Sequence, residues 1–288
     1  MKRFAHRLPA NETMKKTVLD IEEIRGKVSF FKTRLGTWLL KKIFRWLDMD
    51  KVNQIHANHY QLRGSAFTSA ILSDPLMDVH YEVHNREILQ QLPEGAFITV
   101  SNHPIGSLDG IILIDIFASI RPDFRVMVNE ILAHISAMED NFIHVIPRTD
   151  DSQGSRKQNV NGIRLSLIRL RNGHPMGFFP AGAMSFYDKK QKKVEDLPWT
   201  HSVIRLIRKA NVPVYPVYFD CLNSGLFYCL GRISWKLRVL RVAKEAFNKK
   251  GRTIHVYIGN PIPPQKIKMF TNDTELADFL HKSTYNIK

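Results

Sequence analysis

Along the first fifty residues the apolar positions keep helical time. Phe31, Leu35, Trp38, Leu39, Trp46 and Leu47 recur at that spacing, and Leu40, Ile43 and Phe44 widen the same face. Lys27, Arg34, Lys41 and Arg45 fall on the other side. The pattern predicts an amphipathic helix, and such a face has two uses. It can lie in a membrane interface, with aromatic groups buried and cations meeting lipid phosphates, or it can pack on the protein's own core with a solvated basic edge. The sequence leaves both open. From about residue 96 the rhythm changes. Short β-type runs ("AFITV", "FRVMV", "FIHVI", "MGFF", "VPVYPVYF", "TIHVYIG") alternate with helical segments such as "GIRLSLIRLRN" and "HSVIRLIRKAN". Strands alternating with helices predict an α/β fold, a largely parallel central sheet flanked by helices, with an N-terminal helical, membrane-associating elaboration. Residues 1–20 are polar and expected to be poorly ordered, 21–92 form the helical elaboration, and 93–288 the α/β core, one structural unit with what precedes it.

Composition narrows the partners. Lys and Arg outnumber Asp and Glu 42 to 27, a net charge of +15, so the surface attracts something anionic: nucleic acid, a negatively charged leaflet, or an acidic carrier protein or thioester. The cations are dispersed and no nucleic-acid-binding motif accompanies them, which argues against nucleic acid. Two cysteines, Cys221 and Cys229, have neither the number nor the spacing of a disulfide framework or zinc site, and read as buried thiols in a reducing compartment. The N-terminus has no apolar h-region of a signal peptide. No apolar run reaches membrane-spanning length, and the longest, "GIILIDIFASI", is interrupted by Asp115.

The chemistry gathers in "SNHPIGSLDG", residues 101–110. His103 follows the end of a strand, and Asp109 opens a helix, where an anion is favoured. A carboxylate beside an imidazole fixes its tautomer and raises its basicity. The free ring nitrogen can then take a proton from an alcohol. No Ser or Cys is set up as a covalent nucleophile, which suits direct attack by a substrate hydroxyl. Asn102 is expected to hold the turn by side-chain hydrogen bonds, and Pro104 restricts His103 to extended backbone. Gly106 or Gly182 would let main-chain donors approach an oxyanion. The twelve histidines show no metal-ligand spacing, so no metal is expected.

"NHPIGSLDG" resembles the catalytic block of the glycerolipid (lysophospholipid) acyltransferase superfamily, N-H followed by four residues and Asp. "FPAGAMS", residues 179–185, resembles the third block, F-P-E-G-T-R-S; "HVIPRTD" stands where the second carries its Arg, and "VPVYPVYF" resembles the fourth. All four lie in the family's order, over roughly residues 80–265. The sequence departs in two places. Five residues separate His103 from Asp109, and Ala181 and Met184 replace the third block's Glu and Arg. The longer loop is similar to a hemolysin-like bacterial branch related to O-acyltransferases of ornithine and glycine lipids.

The resemblance implies transfer of a fatty acyl group from acyl carrier protein or acyl-CoA to a lysolipid hydroxyl, with no resident cofactor, at the cytoplasmic face of the inner membrane. His103 would be the base and Asp109 its orienting partner. Phe179, Pro180, Gly182 and Ser185 would shape the acceptor pocket, with Asn102 and Gly106 beside them. Arg148, helped by Arg156 or Lys157, would meet an anionic group, unless it pairs with Asp150 or Asp151. A thioether cannot donate hydrogen bonds to phosphate, so Met184 favours a hydroxyacylated amino-acid lipid over lysophosphatidic acid. The basic segment "LRVLRVAKEAFNKKGR" reads as a solvated helix face or a carrier-docking patch. A non-catalytic membrane adaptor is the rival reading.

Overall fold

The structure is a computed structural model that describes residues 15–129, 135–145 and 153–288. Residues 1–14, within the stretch expected to be poorly ordered, lie outside it, as does Arg148. The end of that stretch, by contrast, is pinned: the N–H groups of Val18 and Leu19 both donate to Asn53 Oδ1.

Four helices come first: α1 (Ile21–Lys27), α2 (Arg34–Trp46), α3 (Met49–His59) and α4 (Gly64–Ser73). Thr33 caps α2 by accepting from Gly36 N–H at 3.0 Å. One face of α2, with Gly36, Leu40 and Phe44, is buried on the protein. Leu35, Trp38, Leu39, Ile43 and Trp46 remain exposed. The wide apolar face predicted from the sequence is therefore split, one side packed on the protein and the other left exposed.

A strand that the periodicity did not announce follows, β1 (His80–His84). Then come β2 (Ile98–Ser101), α5 (Ser107–Ala118), β3 (Arg125–Asn129), β4 (Phe142–Val145), α6 (Gln153–Arg171) and β5 (Met176–Phe178). A small antiparallel hairpin, β6 (Phe186–Asp188) and β7 (Lys193–Glu195), was also unannounced. The chain ends through α7 (His201–Ala210), β8 (Val214–Asp220), α8 (Gly225–Ile233), α9 (Trp235–Leu240), α10 (Val242–Phe247), β9 (Thr253–Ile258), α11 (Pro264–Lys268) and α12 (Asp273–Tyr285).

Seven strands form one sheet in the order β1-β9-β8-β2-β5-β3-β4. The five from β8 to β4 are mutually parallel; β9 runs antiparallel to β8, and β1 parallel to β9. The architecture is thus the largely parallel, helix-flanked sheet expected. Leu108, Ile112, Leu113 and Phe117 of α5 pack on one face with Phe97, Phe124, Phe219 and Val256. Ile204 and Ile207 of α7, with Leu276 and Leu280 of α12, cover the other face at Ile98, Val100, Met176 and Phe178. Each such burial contributes about 1.5–3 kcal/mol.

Asp115 tolerates burial in α5 because three hydroxyls meet it, those of Thr68 at 2.8 Å, Tyr81 at 2.6 Å and Ser69. Two expectations need correction. Cys229 is exposed and Cys221 only partly buried, because "FYCLG" lies on α8, whose outward side carries Leu226 and Cys229. The basic C-terminal segment is two short helices, α9 and α10, rather than one solvated helix. Within it Arg241 is buried and paired with the fully buried Glu245 at 3.3 Å, and Lys249 is turned inward onto Leu222 O.

Candidate active site

Strands of a parallel sheet present their carboxyl ends to loops, and that is where chemistry collects. Here β2 ends at Ser101 and the next two residues divide the work. The Asn102 amide reaches across to β8: its Nδ2 donates to Phe219 O at 3.0 Å and its Oδ1 accepts from Phe219 N–H at 2.7 Å. It continues the ladder by side chain, so it fastens the turn rather than facing a substrate. His103 then leaves the sheet and turns its ring towards the start of α5.

Nδ1 of His103 lies 2.9 Å from Asp109 Oδ2. The same carboxylate oxygen accepts from the main-chain N–H groups of Ile105 at 3.0 Å and Gly106 at 2.9 Å. Asp109 is the third residue of α5 and is completely buried, at the end of the helix that suits an anion. Since the carboxylate accepts, Nδ1 carries the proton and Nε2 presents its lone pair. No hydrogen bond occupies Nε2 among the described residues, and the imidazole is 19% exposed. Phe179 stacks on the ring with centroids 4.3 Å apart and fixes its plane.

The loop between the two residues depends on Gly106, which has φ +105° and ψ −107°, a conformation that favours glycine. A Cβ there would lie 2.7 Å from Met184 Sδ. Asn223 Nδ2 holds the loop from outside by donating to Ile105 O at 3.1 Å.

The third block comes alongside from the end of β5. Gly182 (φ +67°) closes a tight turn with its N–H on Phe179 O at 2.9 Å, and Pro180 O accepts from Thr200 N–H at 2.8 Å. The N–H groups of the two glycines are themselves taken, that of Gly106 by Asp109 and that of Gly182 by Phe179 O. Ala181 is fully buried, and Met184 covers Gly106.

Ser185 is buried as well, and both its polar groups grip the backbone around the histidine. Its N–H donates to His103 O at 2.9 Å, and its hydroxyl donates to Asp196. Asp196 in turn accepts the His103 N–H, 3.3 Å from each oxygen. Burial pushes the Asp196 carboxyl above the usual carboxylate range, opposed by the Ser185 hydroxyl. Tyr285 of α12 faces the same carboxyl, and burial, with the Asp196 charge adding to it, raises its phenol well above the ordinary value. Arg238 of α9 reaches the block from the far side, donating to Ser185 O at 3.2 Å and Met184 O at 3.1 Å.

The structure thus gathers His103, Asp109, Gly106, Phe179 and Ser185 around one point, with Pro180 and Gly182 shaping the adjacent turn. Asp196 and Arg238 were missed. Asp196 sits in "VEDLPW" as one acid after another, and Arg238 is one cation in a basic run; neither carries a local signal. The arrangement can hold an imidazole in one tautomer, at one angle, with a lone pair open to a hydroxyl.

A family model described as "Acyltransferase" matches residues 24–288. Two curated relatives are lyso-glycine lipid O-acyltransferases. That of Phocaeicola vulgatus is 25% identical over 282 residues, covering 94% of this chain and 95% of its own. That of Bacteroides thetaiotaomicron is 26% identical over 256 residues, covering 86% and 88%. Among solved structures, the 1-acyl-sn-glycerophosphate (LPA) acyltransferase PlsC of Thermotoga maritima is similar at 17% identity and a TM-score of 0.49, covering 93% of this chain and 92% of that one.

Proposed function

The chain belongs to the acyltransferase family, and from that membership we propose a lysolipid O-acyltransferase that moves a fatty acyl group from a thioester to a lipid hydroxyl. The observation that carries this is the His103 ring, held by Asp109 at Nδ1 with Nε2 open. Nε2 removes the acceptor's hydroxyl proton as the oxygen attacks the thioester carbonyl. Asp109 holds the resulting imidazolium, and a positioned base of this kind contributes about 10²–10⁴-fold in rate. The C–O bond forms, the C–S bond breaks, and the imidazolium returns the proton to the departing thiol. Main-chain N–H groups in the first turn of α5, which lack helical partners, supply the oxyanion's donors.

The acceptor we favour is an amino-acid lipid bearing a hydroxyacyl chain; the two relatives are named for O-acylation of a lyso-glycine lipid. Met184 supports it, since no guanidinium stands there to meet a phosphate. Arg238, which reaches that block, is held in place by one bond from each Nη to a main-chain oxygen, Ser185 O and Met184 O. The donor is acyl carrier protein or acyl-CoA.

Access is from an anionic membrane surface. Among the described residues no helix is long and apolar enough to cross a membrane. The exposed side of α2 carries Leu35, Trp38, Leu39 and Trp46, with Lys42 Nζ 4.1 Å from the Trp38 ring. A second apolar surface, Leu226, Ile233, Trp235, Leu237 and Leu240, lies on α8 and α9. Lys244 of α10 donates to Trp46 O at 3.4 Å, which brings the end of α2 beside the segment following α9. Aromatic and aliphatic groups with neighbouring cations suit a lipid interface.

The test is incubation of the purified protein with labelled acyl thioesters and a panel of lysolipids, with products identified by mass spectrometry. Ester on the hydroxyl of a phosphate-free amino-acid lysolipid is expected. Ester only on lysophosphatidic acid would overturn the acceptor assignment, and amide products alone would overturn O-acyl transfer.

A further inference from the structure

One cluster of ligand-bearing side chains lies away from the site and takes no part in acyl transfer. On the edge strand β1, Glu82 and His84 point to the same face, as alternate residues of a strand must. On its neighbour β9, His255 stands directly opposite Glu82, and Tyr257 opposite His84. Their sheet face is the one that α12 covers further along, at β8; over β1 it is open enough that Glu82 is exposed and the two histidines partly so. His84 Nε2 and His255 Nδ1 are 3.0 Å apart, and His255 Nδ1 lies 3.5 Å from Glu82 Oε2. All three ligand atoms fall within 4.8 Å of one another. The His84 ring is also stacked on Tyr257, centroids 4.3 Å apart and planes 11° from parallel, which fixes its direction.

Those separations can be compared with what a metal requires. Bonds of about 2.0–2.1 Å in a tetrahedron place neighbouring ligand atoms about 3.3 Å apart. The 3.0 and 3.5 Å separations bracket that edge. Two imidazoles and one carboxylate form a donor set that suits zinc, with a fourth position left to water. Alkaline-earth ions prefer oxygen and six or more ligands, which the cluster does not offer.

We propose that Glu82, His84 and His255 form a Zn²⁺ site that ties the edge strand β1 to β9. Between two neutral imidazoles at hydrogen-bond distance one ring donates N–H and the other accepts. To bind the metal through both facing nitrogens, the donating ring moves its proton to its other nitrogen; an imidazolium there would lose its proton to solvent. The ion then replaces the shared hydrogen, and the Glu82 carboxylate offsets part of its charge. The position at the sheet edge gives the site a structural purpose, because an edge strand is the part of a sheet most easily lost or mispaired.

The experiment uses the full, untagged chain, stripped of metal with a chelator and titrated with ZnCl₂ by calorimetry. Co²⁺ serves as a second probe, since tetrahedral coordination gives it strong visible absorption. One Zn²⁺ per chain is expected, with a rise in melting temperature. Loss of an outer partner of a metal ligand typically weakens affinity 10–100-fold, so removing a ligand itself should cost at least about 100-fold in His84→Ala and His255→Ala. Glu82→Gln, at an exposed position that leaves the fold undisturbed, should weaken binding at least about 10-fold and decides the matter if a histidine variant fails to fold. Wild-type protein that takes up no Zn²⁺, or uptake unchanged in Glu82→Gln and the histidine variants, overturns the assignment.

Discussion

Gly106→Ala is the substitution that most sharply separates backbone conformation from side-chain fit in the catalytic loop. Gly106 has φ +105° and ψ −107°, and its N–H donates to Asp109 at 2.9 Å. An alanine held there costs about 1–3 kcal/mol in backbone strain. The added methyl would also sit 2.7 Å from Met184 Sδ, where carbon contacts normally relax to about 3.5–4.0 Å. A thioether terminus is flexible and can swing away, so the contact is the smaller cost. The variant should lose about 2–3 kcal/mol of stability in urea unfolding. For a chain of this size that is a fall of about 3–5 °C in melting temperature. If the loop escapes the strain by rotating, Asp109 loses one of its two main-chain donors and acyl transfer falls with stability. Gly106→Ala combined with Met184→Ala removes the Met184 contact and leaves the strain, with a lesser approach to Val242 Cγ1 at 3.3 Å, so it should recover less than half of the loss. A single variant within about 0.5 kcal/mol of wild type, or a double variant fully restored, refutes the argument that the backbone demands glycine.

Three further outcomes follow from the geometry. Asp109→Asn keeps the shape, since the Ile105 and Gly106 N–H groups call the amide oxygen to the position facing His103 Nδ1, but it removes the anion that holds the imidazolium; turnover of acyl thioester should fall about 10²–10⁴-fold with little change in KM, and a loss below five-fold would count against the role of the carboxylate. Asp196 has its folded pKa raised by burial, so between the unfolded carboxylate value of about 3.9 and the folded value the native state binds more protons. Its contribution is therefore fully present below the unfolded value and is lost as pH rises through the folded one; the stability of wild type relative to Asp196→Asn should decline with pH over that window, at no more than about 1.4 kcal/mol per pH unit, and a flat or rising difference would contradict it. Trp38→Ala with Trp46→Ala should weaken binding to anionic liposomes in a sedimentation assay while leaving the melting temperature near wild type, since both rings are more than half exposed at 53% and 55%; unchanged liposome binding argues against the interfacial face.

The parts of this protein that were legible in the sequence are those whose signal is local. The α/β alternation announced most of the sheet because each buried strand is a short apolar run and each covering helix, such as α7, repeats its apolar positions at helical spacing. His103 and Asp109 could be paired because only five residues separate them and a helix start lies between. What stayed hidden depends on the third dimension. β1 reads H-Y-E-V-H, with polar and half-buried residues, because only one of its faces meets the core. The α2 face looked uniform because exposed Trp38 and buried Leu40 are equally apolar in a list. Ser185 was expected at an acceptor pocket, yet its N–H holds His103 directly and its hydroxyl holds it through Asp196, eleven residues further on and under Tyr285 from the last helix. No spacing rule reaches that far. Arg238 is in the same position: its role becomes visible only when α9 is laid against Met184 and Ser185.

The central claim is that Nε2 of His103, with Nδ1 held by Asp109, takes the proton from a lipid hydroxyl. Its most direct test is the rate of ester formation from labelled acyl thioester and lysolipid by wild-type and His103→Ala protein, with circular dichroism showing both folded. The account predicts that the variant loses about 10²–10⁴-fold or more and that no added metal restores it. Ester formed by folded His103→Ala at the wild-type rate contradicts it.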